Sequence, residues 1–441
     1  MAGDLASLDS LVDDILDRRG VTPTKLGSEF RDSGHRVISA KLMKDHRLDL
    51  SADEPRYVDE GTYRRWMATP ILADDVLLTS EAPLGEVAYV ERDVDWCLGQ
   101  RLFCIRTDKR RLHGRYLFYC LRGDPSRSDL LTRATGTTVQ GIRQSELRRV
   151  GIPVRPLPEQ KRIAHILGAL DDKIDLNRRM NATLEAMSRA IFKSWFVDFD
   201  PVRQKAAGKQ PVGMDAQTAA LFPDSFEDAE IGEVPKGWAV DAIKNRASNI
   251  QYGFTQSATK EPVGPRFLRI TDISGGGLDW GDVPFCQATD AEREKYRIVD
   301  GDILVARTGA STGENVYAVE PPPAVFASYL VRIQFMSRGI GRLVGEFMRS
   351  PDYAGYVSGM IGGSAQPNAS AQTLAAAPMV FPTEEVAIVF YQAMRPRDLL
   401  RATNDRQSRT LAALRDTLLP KLLSGEVRVP EAEGIVEEAV E

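Results

Sequence analysis

Residues 158–191 read PEQKRIAHILGALDDKIDLNRRMNATLEAMSRAI, a proline opening into more than thirty residues of helix-favouring sequence. Ile163, Leu167, Leu170, Ile174, Asn177, Asn181, Leu184, Ser188, Ile191 and Trp195 recur at alternating spacings of four and three, which is the seam of a coiled coil. Ile166, Met180 and Met187 widen that apolar stripe, while Asn177 and Asn181 set polar residues within it, where they can fix register. A second seam follows at Leu400, Thr403, Gln407, Leu411, Leu414, Leu418 and Leu422, closed by Ser424-Gly425. Pro396 is expected to restart that helix one turn in, because proline removes a backbone donor. Two helices of roughly 35 residues, about 50 Å long, pack most simply against one another. They are expected to run antiparallel and to separate two globular units.

The chain repeats itself on either side of the first helix. DDVLLTSEAPLGEVAYV at 74–90 recurs loosely as GDILVARTGASTGENVYAV at 301–319, so that Gly85, Glu86 and Tyr89 match Gly313, Glu314 and Tyr317. QRLFCIRT at 100–107 answers SYLVRIQF at 328–335, both strand-like. LFYCLRG at 117–123 matches EFMRSPD at 346–352 as a short helix, and 136–160 parallels 362–386. Across these blocks the offsets stay between about 225 and 229 residues, and the openings also correspond, with Gly20 and Thr22 matching Gly253 and Thr255. Neither copy has a regular βαβ alternation, so each is expected to be a mixed sheet with long loops. The expected architecture is mixed α/β with pseudo-twofold repetition: units at 1–157 and 232–382, a central helix at 158–196, a linker at 197–231, a distal helix at 383–424 and an acidic tail at 425–441.

A chain of 441 residues exceeds one hydrophobic core, and its 43% apolar and 27% charged residues are an ordinary globular balance. No apolar run is long enough to span a bilayer, and the acidic start MAGDLASLDSLVDD does not suit a secretory signal. Cys97, Cys104, Cys120 and Cys286 are scattered without a CxxC pair, which fits a reducing cytoplasm. The net charge of −5 argues weakly against indiscriminate polyanion binding. Yet residues 100–162 carry fifteen Lys or Arg against five Asp or Glu, a basic segment that suits either a nucleic-acid footprint or a salt-bridged surface.

Catalytic constellations are missing. TGASTGE at 308–314 has glycines without the phosphate-binding lysine, and there is no GxSxG or HExxH. His35, His46, His113 and His165 make no metal-ligand spacing. Asp171, Asp172 and Asp175 on the first helix read as a solvated acidic face rather than a metal site. Two similar binding units at a set separation suit a bipartite ligand such as double-stranded DNA. A non-catalytic scaffold gripping a protein partner with two α/β modules explains the repeat equally, but not the basic segment.

The phrases GTTVQGIRQSELRRVGIPVRPLPEQKRIAHILGALDDKIDLNRR at 136–179, AIFKSWFVDFDPVR at 190–203, LFPDSFEDAEIGEVPKGWAV at 221–240 and TLLPKLLSGEVRV at 417–429 resemble the specificity subunits of type I restriction–modification enzymes. The resemblance implies two target-recognition domains, each reading half of a split DNA sequence, and two conserved helices that set the gap. It implies a subunit without catalysis or cofactor of its own. Two modification subunits would use S-adenosylmethionine to methylate adenine, and restriction subunits would use ATP and Mg to translocate and cut DNA. The N-terminal copy departs from the pattern by lacking the Pro-x-Gly-Trp entry seen at 235–238.

Base readout is expected from Thr79, Ser80 and Glu81 in one unit and Arg307, Thr308 and Ser311 in the other, joined by Gln140, Arg143, Gln144 and Gln366. Arg106, Lys109, Arg110, Arg111 and Arg115 are the expected phosphate-anchoring cluster. Ile166, Met180, Met187, Phe192, Trp195 and Phe196 are the expected docking surface for the modification subunits.

Overall fold

The computed structural model describes residues 5–275, 277–361 and 368–440. Two compact units emerge, residues 1–175 with 410–441 and residues 176–409, and each takes part of both long helices.

In the first unit the strands Val12–Asp17, Leu102–Thr107, Val76–Thr79 and Val87–Tyr89 form an antiparallel sheet in that spatial order. The run VLLT is buried throughout because both sheet faces are covered. Val76 and Leu78 enter one core with Phe103 and Ile105, while Leu77 enters a second with Cys104 and Ala88. His35–Ile38 pairs parallel with Cys97–Leu98 and antiparallel with Tyr57–Val58, which makes the unit mixed. The second unit repeats this plan with Asn249–Tyr252, Leu330–Gln334, Ile303–Ala306 and Asn315–Tyr317, and with Arg266–Leu268 parallel to Ala324–Phe326. Its buried run ILVA splits likewise, Ile303 and Val305 to one core and Leu304 and Ala306 to another. Gly85 (φ 87°) and Gly313 (φ 94°) occupy equivalent left-handed turns, which accounts for the matching Gly-Glu pairs.

The missing Pro-x-Gly-Trp does not remove the entry strand. Leu5–Ser7 pairs antiparallel with Gly151–Pro153, as Ala239–Ala242 does with Pro378–Phe381. The helical match is displaced by about one turn. LFYCLRG lies within and just past Gly114–Arg122, whereas EFMRSPD straddles the end of Arg338–Phe347 and the start of Pro351–Ile361. A slip of one turn leaves an amphipathic pattern almost unchanged, so periodicity alone does not detect it.

The central helix spans Leu157–Phe196 and the distal helix Glu384–Ser424. The distal helix continues through Pro396, contrary to the expected restart. Proline costs the bond to the carbonyl of residue 392, but the guanidinium of Arg397 donates to Ala393 O and supports the turn beside it. Within each unit the two helices run antiparallel. In the first, Ile163, Leu167, Leu170 and Ile174 share a core with Leu411, Leu418 and Leu422, and Arg155 Nη2 donates to Leu423 O (2.9 Å). In the second, Asn177 Nδ2 donates to Gln407 Oε1 (3.0 Å), Asn404 Nδ2 donates to Asn181 Oδ1 (2.9 Å), and Glu185 meets Arg401 (3.6 Å). The distal seam therefore departs from expectation at its start: Leu400 and Thr403 are exposed, and Asn404 is buried instead. The partner's polar positions select a polar residue here, which a search for leucines passes over.

Two segments outside the units expected from sequence are folded. Residues 197–231 include helices at Asp200–Ala206 and Ala216–Ala220, with Phe199, Val202 and Phe222 in the second unit's core. In the acidic tail, Val429–Val440 is a helix that buries Val429, Ala432 and Val436 in the first unit's core, held by Glu433 to Arg162 (2.6 and 3.0 Å).

Candidate nucleic-acid interface

Each unit joins the loop after its central buried strand to a second loop further along the chain. In the first unit Ile142 N donates to Ser80 O (2.9 Å), and Glu81 forms a bridge with Gly141. In the second, Ala369 N donates to Arg307 O (2.8 Å), and Thr308 bridges Asn368. The expected readout residues of each unit are thereby gathered on one edge, apart from Gln366, which lies outside the described residues.

Their side chains differ in what they can reach. Thr79 and Ser80 are buried, which corrects the expectation that they read bases: Thr79 Oγ1 donates to Pro83 O (2.6 Å) and accepts from Glu86 N (2.9 Å), closing the loop. Gln144 is also structural, since its Nε2 donates to Ile15 O (2.6 Å). Glu81 lies against Arg101 (3.1 Å) at the surface, and Gln140 and Arg143 are exposed beside it. Arg307 stacks over Tyr252 (4.9 Å) and donates through Nη2 to Asn368 Oδ1 (3.2 Å), while Thr308 and Ser311 are half-buried in the same turn.

Most of the basic cluster has internal acceptors. Arg106 grips buried Asp75 with two bonds (2.9 and 2.7 Å) and Pro70 O (2.7 Å), and the bonds to Asp75 raise its pKa. Arg115 binds Asp172 and Gly168 O (3.3 Å) on the central helix. Arg106 and Arg115 are thus fold-holding ion pairs, which corrects their assignment as phosphate anchors. The same device recurs in the second unit, where buried Asp302 meets Arg332 (3.6 Å). Arg110 is exposed but paired with Asp108 (2.9 Å), and Arg111 donates to Ser10 O. Lys109 is exposed with no partner among the described residues. Burial takes His46 down to about 4 despite Glu86 beside it, so it adds no cation at neutral pH.

The expected docking set divides similarly. Ile166 lies in the first unit's core, and Phe192 and Phe196 in the second's, with Trp195 packed edge-on to Phe222 (5.2 Å). Those four side chains are used within the chain. Met180 (36% exposed) and Met187 (44%) stay on the surface, and Leu176 (44%) extends their stripe. Asp171 is not a solvated residue: it accepts from Tyr119 Oη (2.7 Å), Arg122 (3.0 Å) and Arg415 (2.6 Å).

Among the described residues no group of three or more His, Cys, Asp or Glu could hold a metal, and no helix is long and apolar enough to cross a membrane. Fold and loops together define a class: a duplicated α/β binding protein whose two units share an antiparallel helix pair. Residues 19–186 match the family model described as the type I restriction modification DNA specificity domain. The chain is 24% identical over 403 residues to the HindI specificity subunit of Haemophilus influenzae, covering 80% of this chain and 86% of that one. It is 24% identical over 425 residues to the MjaIX specificity subunit of Methanocaldococcus jannaschii, covering 93% and 91%. The crystal structure of the type I restriction–modification S subunit from M. genitalium has the same fold, with a TM-score of 0.59 over 95% of both chains at 14% identity. Over most of its length the chain is therefore similar to the specificity subunits of type I restriction–modification systems, and residues 19–186 match their DNA specificity domain.

Proposed function

We propose that this chain is the non-catalytic subunit that reads a bipartite double-stranded DNA sequence and directs its partners' methylation and cleavage to it. The observation that carries this reading is the duplication: the same strand order, parallel pair and loop-to-loop edge occur twice, with different side chains on each edge. Two different readers on one chain suit an asymmetric split target. Recognition domains at 1–157 and 232–382 would each contact one half-site. Gln140, Arg143 and Glu81 would do so in one, and Arg307, Thr308 and Ser311 in the other. Two modification subunits carrying S-adenosylmethionine would dock on the helix pair around Met180 and Met187. Restriction subunits carrying ATP and Mg would complete the assembly.

The test is spacer length. Inserting seven residues into each long helix keeps the seam and lengthens the pair by about 10 Å at 1.5 Å per residue. At 3.4 Å per base pair the gap between half-sites should grow by about three base pairs, with both half-sites unchanged. Single-molecule methylation sequencing of the assembled complex reads this directly. An unaltered gap would show that the helices do not set the spacing, and a complex that methylates without sequence preference would end the reading as a whole.

A further inference from the structure

The two units differ at one place beside their sheets. In the first, Gln100 spans the gap between strands: its Oε1 accepts from Gly20 N (3.2 Å) and its Nε2 donates to Val21 O (3.0 Å). Strand register places Ser328 at the equivalent position of the second unit and Tyr329 where the first has Arg101. Ser328 is shorter and reaches only Thr255, whose Oγ1 donates to it (3.1 Å). The space that Gln100 fills in one unit is thus open in the other, as a cleft of about 270 Å³.

Aromatic rings line the cleft. Its floor is Phe254 set edge-on to Phe267 (5.4 Å), with Phe254 also stacked on Tyr296 (4.8 Å) from behind. Gly253 lets the strands close beneath it, since a Cβ there would come within 2.3 Å of the carbonyl oxygens of Phe326 and Ala327. Arg269 walls one side, held in place by two bonds to Asp272 (2.7 and 3.0 Å). At the mouth Tyr329 is 56% exposed, a large aromatic face in contact with water. Gln256 is oriented by Ser257 N, which donates to its Oε1 (2.9 Å), and its amide NH₂ has no partner among the described residues.

Resting on the DNA-reading function above, we propose that this cleft takes one nucleobase of the second half-site, turned out of the duplex. The base would stack on Tyr329 and be read along its edge by Gln256, Thr255 and Ser328. The geometry favours an extruded base over one in the stack. A base edge in a groove is recessed between two backbones, and a cleft in the protein is recessed too, so neither fills the other. A base swung outward does, and stacking on an aromatic side chain then offsets part of the lost base stacking.

Mismatches test this, because weakening a pair lowers the cost of extrusion. The assembled modification complex is titrated with duplexes in which the base opposite each second-half-site position is mismatched in turn. The methylated adenine should bind more tightly when mismatched, whichever variant is used, because the modification subunit works on it. The proposal predicts a second position where a mismatch tightens binding about tenfold. That gain should vanish in Tyr329→Ala and Gln256→Ala and persist in Tyr329→Phe. Both residues are at the surface, so the fold should survive, and an unchanged melting temperature with unchanged copurification of the modification subunits confirms it. A single tightening position, or a second one that survives Tyr329→Ala, overturns the proposal. Free nucleosides form a separate arm: saturable, Tyr329-dependent nucleoside binding without the second duplex position would assign the cleft to a free base and also overturn it. Failure of the complex to prefer any sequence would instead count against the DNA-reading function itself.

Discussion

Asp171 is the residue on which the first unit's hold on the helix pair turns. Its carboxylate on the central helix receives Arg415 from the distal helix and both Tyr119 and Arg122 from the α/β unit. The side chains of Asp171, Arg122 and Arg415 are 19%, 7% and 16% exposed, so screening by water is limited. Asp171→Ala strands two cations around one lost anion, a class of change that costs about 3–5 kcal/mol. Arg415 keeps Asp416 (2.7 Å) and Arg122 keeps the ring of Phe118 (4.9 Å), which puts the expected loss near the lower end, about 3 kcal/mol. Arg415→Met leaves Asp171 its bonds to Arg122 and Tyr119, and should cost only about 1.5 kcal/mol.

Native-state hydrogen exchange on peptides from 157–175 and 410–424 reads this locally, without assuming that the whole chain unfolds in one step. A pH series adds a second check. Burial pushes the Asp171 carboxyl up, but Arg122 and Arg415 outweigh it and hold the pKa below the usual carboxylate range. A depressed folded pKa means that the stabilisation is complete above the unfolded value of about 3.9 and is lost as pH falls through the lower folded value. Asp171→Asn should therefore show a shallower loss of protection below about pH 4 than the parent. An Arg415→Met penalty as large as that of Asp171→Ala, or an acid slope unchanged in Asp171→Asn, would refute the assignment of Asp171 as the shared anion.

Other substitutions separate structural from interfacial cations and test the two edges. Arg106→Met should cost about 3–5 kcal/mol in urea unfolding because it leaves Asp75 buried without a counter-ion. Lys109→Ala should leave stability unchanged and lower the salt slope of DNA binding by about one unit; an unchanged slope removes Lys109 from the interface. Arg307→Ala should relax sequence preference in one half-site only, at about 1–3 kcal/mol of discrimination, and methylation mapping showing an unaltered motif would exclude it. Met180→Glu combined with Met187→Glu should abolish copurification with modification subunits at an unchanged melting temperature, since both side chains lie on the surface; retained copurification would place docking elsewhere.

How far the sequence was legible follows from the distance over which each feature is determined. VLLT and ILVA announce buried strands because three or four apolar residues in a row suit a sheet covered on both faces, and Gly85 and Gly313 mark turns that need a left-handed backbone. Such local signals, repeated in the same order, disclosed the duplication. What lies across the fold is silent in a local pattern. Nothing around Arg106 shows that its partner is Asp75, thirty-one residues away, so a run of cations reads as a DNA-facing edge although much of it is internally neutralised. Asn404 joins the distal seam only because Asn177 and Asn181 oppose it, a choice made by the partner helix and not by its own neighbours.

The interface suffers most from this blindness, because polar residues in a loop look alike whether they face water or close the loop. Thr79 and Gln140 have similar standing in the sequence; one is sealed under Pro83 and Glu86, and the other is exposed. The match of Gly20 and Thr22 to Gly253 and Thr255 lies beside a position where the two units differ, since Gln100 gives way there to Ser328. Within a duplicated fold, the positions that match hold the scaffold. The informative side chains are those that replace one another at a matched position, because the backbone there is already explained and only the ligand remains to account for the change.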